Sequence, residues 1–243
     1  MIFTSSWDDG TAEDMKIVAL LDKYNLKGTF YICPKIRQGK QVLTEKEIQT
    51  ISKNHEIGAH TLHHPNLTKI SSKEAAQEIE ESKSWIESIT KKPCTMFCYP
   101  YGAWSASVKD LVMNAGYKGA RTTEDIHCDC SDPYLLSTTL QVRPFPMRKE
   151  HSKWWHLLDP LGPLRYKFFK LRSSNVPLSA MSSWLSLAKA LFLIAKENNE
   201  CFHVWGHSSE IEKLNMWNDL DALFAFIADQ NDIKSLVNSE LLS

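Results

Sequence analysis

The sequence predicts an α/β fold built from parallel βα units, and three observations predict it. Short runs rich in β-branched and aromatic residues alternate with stretches of helical periodicity, a pattern that lays strands parallel in a barrel or a doubly wound sheet. No Gly/Ser-rich or Pro-rich linker, internal repeat or low-complexity tract interrupts the alternation. The length of 243 residues suits a single α/β barrel domain, with 43% hydrophobic residues to fill its core.

Taken in order, strands are expected at 2–7, 28–33, 56–60, 95–99, 118–122, 138–143 and 201–205. Helical periodicity covers 12–24. Ser71 and Glu74 form a capping-box pattern ahead of a long polar helix reaching about residue 89, and a third helix over 105–115 stops at Gly116. The apolar run 190–195 falls far short of the roughly 20 residues needed to cross a bilayer, so it reads as a buried helix. Residues 148–178 stand apart as a lid-like insertion. Their first part carries Trp154, Trp155, Tyr166, Phe168 and Phe169 among Arg148, Lys149, Lys153, Arg165, Lys167, Lys170 and Arg172, opposed by Glu150 and Asp159 alone.

Charge is balanced, 28 basic against 29 acidic side chains, which argues against nucleic acid as a partner. The six cysteines are irregularly spaced and read as reduced thiols, not as a disulfide framework. Met1 leads directly into an apolar strand with no leader-like pattern, so a cytoplasmic chain without a transmembrane segment is expected.

Four places carry chemistry. Asp8 and Asp9 follow an apolar strand and precede Gly10, at the carboxyl end where α/β barrels keep their chemistry; Asp-Asp-Gly is also an ordinary turn. After the strand at 56–60 comes HTLHH, in which His60 and His64 share a face if the chain turns helically, and that spacing can chelate a divalent ion; exposed turn histidines are the alternative, and His63 fits that description. Two His and one Asp would leave a coordination position open for water or substrate. Cys98-Tyr99-Pro100-Tyr101-Gly102 ends a strand in a turn whose N–H can serve an oxyanion. Phe202 to His207 is a late strand ending in Gly206 and His207, while His203 inside it reads as a core or supporting residue.

SWDDG, HTLHH, the YPYG turn and the terminal strand with His207 together resemble, in order and rough spacing along nearly the whole chain, the NodB-homology motifs of polysaccharide deacetylases. The resemblance implies a distorted (β/α) barrel of about seven strands. It also implies Asp8 as base, Asp9, His60 and His64 as metal ligands, His207 as acid and Tyr101 as an oxyanion-hole N–H donor. The cofactor expected is a divalent metal, zinc first, with cobalt, nickel or manganese as alternatives. Two departures stand out: the position where many members of that family carry an Arg pairing with the base is Cys98, and the Asp-rich motif with Trp is unrecognisable. Arg121, at the end of another strand, is a candidate for the missing guanidinium or for a surface salt bridge. Beside it, Glu124, Asp125, His127, Cys128, Asp129, Cys130 and Asp132 read as a solvated acidic loop.

The activity expected is removal of an N-acyl group, acetyl first, from a sugar or sugar-containing envelope precursor; the basic aromatic segment is open to two readings, a contact for a nucleotide- or lipid-linked substrate with peripheral membrane contact, or a helix with a buried aromatic stripe and a solvated basic face. The alternatives are a catalytically degenerate glycan- or metal-binding homologue and a deformylase or cyclic amidase of the same fold. Sequence leaves the oligomeric state open.

Overall fold

The computed structural model describes residues 1–36, 41–149, 154 and 158–242. Among the described residues eight strands form one sheet: β1 (Ile2–Asp9), β2 (Thr29–Ile32), β3 (Glu56–Ala59), β4 (Met96–Cys98), β5 (Gly119–Arg121), β6 (Leu140–Gln141), β7 (Cys201–Gly206) and β8 (Lys234–Ser235). The order across the sheet is β5-β4-β3-β2-β1-β7-β6, with β8 against the start of β1, and every pairing is parallel. Parallel strands covered on both faces are buried along their length. β1 meets that condition, all but its first residue being buried.

The sheet curls into the distorted (β/α) barrel of about seven strands, and its distortion has a local cause. One segment serves both edges: Leu136 bridges Arg121 on β5, while Leu140 and Gln141 pair with Val204 and Trp205 on β7. Only two residues of the expected strand 138–143 therefore form a ladder. The two-residue β8 has no alternating pattern and was not expected.

Among the described residues eight α-helices cover the sheet: α1 (Asp14–Lys23), α2 (Glu45–Ile51), α3 (Ser72–Thr90), α4 (Ala106–Asn114), α5 (Gly162–Ser173), α6 (Trp184–Glu197), α7 (Ser208–Leu214) and α8 (Trp217–Ala228). The capping box at Ser71 and Glu74 forms, each side chain serving the other's backbone N–H. Behind it Ala75, Ile79, Ser82, Ile86 and Ile89 make a buried stripe at helical spacing, and Lys91 in the left-handed conformation ends the helix. Burial of Ile79 and Ile86 contributes about 1.5–3 kcal/mol apiece. The run 190–195 lies within α6, which is amphipathic and not buried all round, since Leu193 is exposed. No helix among the described residues is long and apolar enough to cross a membrane. All six cysteines are free thiols. Within the segment 148–178, Glu150, Lys153 and Trp155 lie outside the described residues.

Candidate active site

A cleft of about 440 Å³ opens at the carboxyl ends of the strands, lined by Asp8, Asp9, His60, His64, Tyr101 and His207 among others. Successive strand residues point to opposite faces. Asp8 and Asp9 nonetheless line the same cleft, because Asp9 has φ of +83° and breaks the alternation. Gly10 follows at φ +71°, where a Cβ would lie 2.7 Å from Ile32 Cγ2, so only glycine fits that exit.

The HTLHH segment corrects the helical-turn expectation. It is an irregular turn in which Thr61 (φ +63°) and His64 (φ +58°) are left-handed, and this folds His64 back until its Nε2 lies 3.0 Å from His60 Nε2. Tyr101 at φ +61° places its ring 4.6 Å from that of His64. Left-handed backbone costs a non-glycine residue about 1–3 kcal/mol, and it persists where the surrounding fold holds it. Three such residues, Asp9, His64 and Tyr101, line this one cleft, and the fourth, Thr61, is buried in the turn that brings His64 to it.

Two sets of ligand-type atoms converge here, Asp9 with His60 and His64, and Asp8 with His60 and Cys98. The chemistry of the donors separates them. Asp9 Oδ1 lies 4.0 Å from His60 Nε2 and 3.8 Å from His64 Nε2. His60 donates its Nδ1 proton to the Cys98 carbonyl at 2.8 Å, which leaves the Nε2 lone pair facing the cleft. Burial lowers the pKa of both histidines, that of His64 to about 4 with the neighbouring His60 adding to the effect, so both are neutral imidazoles at physiological pH. Two neutral imidazoles and a carboxylate suit a divalent ion. In the other set, burial holds the Cys98 thiol well above its ordinary pKa, and Asp8 is already engaged.

Asp8 is engaged by Arg121. Its carboxylate takes a short contact from Arg121 Nη2, which also lies 3.0 Å from Cys98 Sγ. Arg121 is fully buried, so the surface salt-bridge alternative is excluded; its guanidinium is flanked by the rings of Trp205 (4.8 Å) and Tyr31 (5.3 Å). In register, Cys98 on β4 pairs with Arg121 on β5, so the guanidinium reaches Asp8 from one strand further along. Burial favours the protonated form of Asp8, but Arg121, His60 and His207 outweigh it and hold the carboxylate below its usual pKa.

His207 caps the far side. Its Nδ1 donates to Glu210 Oε2 at 3.1 Å, and Glu210 in turn accepts from Arg143 Nη2 at 2.5 Å. Burial disfavours the imidazolium, yet Glu210 and the carboxylates of Asp8 and Asp9 raise the His207 pKa above 6.5. Bonds from His207 and Arg143 overcome burial to bring Glu210 down to about 2. Sequence reading gave Glu210 and Arg143 no role; the signal available was Glu210 three residues after His207 at the start of a helix.

The remaining groups lie away from this centre. His203 is buried with Nε2 2.8 Å from Ser6 Oγ, and half-exposed His63 pairs with Glu78 at 2.6 Å. The acidic loop is less solvated than expected: Ile126 is buried, Asp125 pairs with Lys167 and Lys170, and Asp132 pairs with Lys109.

A parallel α/β barrel with an Asp–His–His cluster, a carboxylate on one side and a histidine on the other defines a class of hydrolase-like sites. The polysaccharide deacetylase family model matches residues 2–120. It is 27% identical over 117 residues to a chitooligosaccharide deacetylase of Rhizobium leguminosarum bv. trifolii, covering 46% of this chain and 52% of that protein. It is 31% identical over 103 residues to a peptidoglycan-N-acetylmuramic acid deacetylase of Bacillus subtilis (strain 168), covering 42% of this chain and 21% of that protein. The chain thus spans about half or less of the length of these curated relatives. Among solved structures, a candidate polysaccharide deacetylase from Mycobacterium smegmatis superposes with a TM-score of 0.67 at 12% identity, covering 99% of this chain and 88% of that one. A family 4 acetyl xylan esterase from Clostridium thermocellum, solved with a cobalt ion, gives 0.59 at 14% identity, covering 99% and 90%. At these identities both establish the shared fold.

Proposed function

We propose that the protein is a metal-dependent hydrolase that removes an N-acyl group, in the first place acetyl, from a sugar or sugar-containing envelope precursor. One observation carries the reading: Asp9, His60 and His64 converge in a single cleft, between an Arg121-held Asp8 and a Glu210-held His207. The family match to residues 2–120 supports it, and six free thiols suit a reducing compartment such as the cytoplasm.

Asp9, His60 and His64 would hold a divalent ion, zinc in the first place with cobalt, nickel or manganese as alternatives, which when bound would supply Lewis acidity at the acyl carbonyl and lower the pKa of water towards neutrality. The chain's own groups do the rest. Asp8, kept ionised by Arg121, accepts the proton of the attacking water. The Tyr101 N–H, on the turn at the rim, donates to the developing oxyanion. His207, kept protonated by Glu210, gives its proton to the departing sugar nitrogen. Glu210 and Arg143 orient that imidazole and stand clear of the reacting atoms.

The test is acetate and formate release across a panel of N-acetylated and N-formylated sugars, with and without chelator. Chelator-sensitive acetate release is expected, reduced about 10²–10⁴-fold by Asp8→Asn. Wild-type turnover by the Asp8→Asn protein would remove Asp8 from its role.

A further inference from the structure

Most of the large apolar side chains that the described residues leave exposed lie between positions 147 and 178, away from the cleft. α5 carries the densest part. Tyr166 is 76% and Phe169 82% exposed, with Leu161 exposed at the helix start, while Leu171 is buried and Phe168 packs inward. Leu161, Arg165, Phe169 and Arg172 recur at helical spacing, so the outward face alternates apolar and cationic side chains. The twelve residues of α5 hold Arg165, Lys167, Lys170 and Arg172 and no acid. Even with Asp159, which pairs with Arg165, and Asp125, which pairs with both lysines, four cations face two carboxylates.

The inner side of this helix borders a groove next to the catalytic cleft. Pro163, Tyr166 and Lys167 wall a groove of about 230 Å³, and Gln141 and Arg143 belong to the walls of both groove and cleft.

We propose that the outward face of α5 docks the protein on an anionic lipid bilayer. Aromatic and aliphatic tips flanked by Arg and Lys match what an interfacial helix needs: apolar ends enter the headgroup boundary, long cationic stems reach the phosphates, and no fixed partner shape is required. A symmetric contact with a second copy would bring two faces with the same excess of two cations together, Arg165 and Arg172 against their own copies, which charge complementarity disfavours. Because the groove joins α5 to the cleft, docking would present the cleft to a lipid-linked sugar. That substrate assignment rests on the deacetylase reading; the docking itself does not.

The experiment is flotation of the full chain with phosphatidylglycerol/phosphatidylethanolamine vesicles against phosphatidylcholine vesicles, at low and high salt. Wild type should float with the anionic vesicles at least tenfold more than with the neutral ones, and less as salt rises. Leu161→Ser/Phe169→Ser should lose at least tenfold of that binding, with its melting curve and its turnover of a soluble N-acetylated oligosaccharide unchanged. Arg165→Gln/Arg172→Gln should float less on anionic vesicles. Failure of wild type to float, equal flotation with both lipids, or undiminished flotation of Leu161→Ser/Phe169→Ser would overturn the proposal. So would a lipid-free dimer that the same double variant dissolves, since the face would then belong to a second copy. Flotation without soluble turnover would sink the deacetylase reading and leave the docking face standing; turnover without flotation would do the reverse.

Discussion

His60 and His64 on one side of the barrel and His203 and His207 on the other have the same spacing and opposite fates. After β3 the chain makes an irregular turn, with Thr61 and His64 left-handed, and the two imidazoles meet with their Nε2 atoms 3.0 Å apart. Along β7 the same interval runs through extended backbone, so His203 is buried against Ser6 while His207, past the end of the strand, lines the cleft. Spacing alone does not make a chelate; the backbone between the two residues decides.

The comparison breaks most sharply by removing one member of each pair. His64→Ala should abolish both metal binding and turnover, checked by elemental analysis of the purified protein. His203→Ala should keep the metal and lose about 1–3 kcal/mol of stability, because Ser6 is left buried without its partner. Metal retained at full stoichiometry in the His64→Ala protein would erase the distinction.

The second contrast concerns how each side is anchored. Asp8 is neutralised by a wholly buried Arg121, whereas His207 is supported by Glu210 and the half-exposed Arg143. Arg121→Met should cost about 3–5 kcal/mol in denaturant unfolding, since it strands a buried carboxylate.

A smaller effect is expected opposite. Glu210 raises the pKa of His207, and His207 must be protonated to act, so activity falls as pH climbs through that pKa. Glu210→Gln lowers the pKa and should move the alkaline limb of the kcat/KM profile to lower pH. An unmoved limb would separate Glu210 from the proton donor.

The same contrast explains what was legible in the sequence. All seven expected strands, the capping box at Ser71 and Glu74, and the cluster Asp8, Asp9, His60 and His64 are read from short contiguous patterns, because strand ends deliver neighbouring residues together. The Thr44–Glu47 capping box ahead of α2 is a contiguous pattern of the same kind. Other features depend on contacts between distant segments. That Arg121 would reach Asp8 follows from the register of β4 against β5, and Arg143 meets Glu210 across 67 residues of chain. The left-handed turn at Thr61 and His64 has no glycine to announce it, and the shortening of β6 follows from the bridge between Leu136 and Arg121.

The most direct test of the account is titration of metal-stripped protein with cobalt, following metal absorption and acetate release from an N-acetylated oligosaccharide on the same samples. The account predicts that both rise together to one ion per chain, and that neither rises in the Asp9→Ala protein. Full acetate release from the stripped protein, or an unchanged titration in Asp9→Ala, would contradict it.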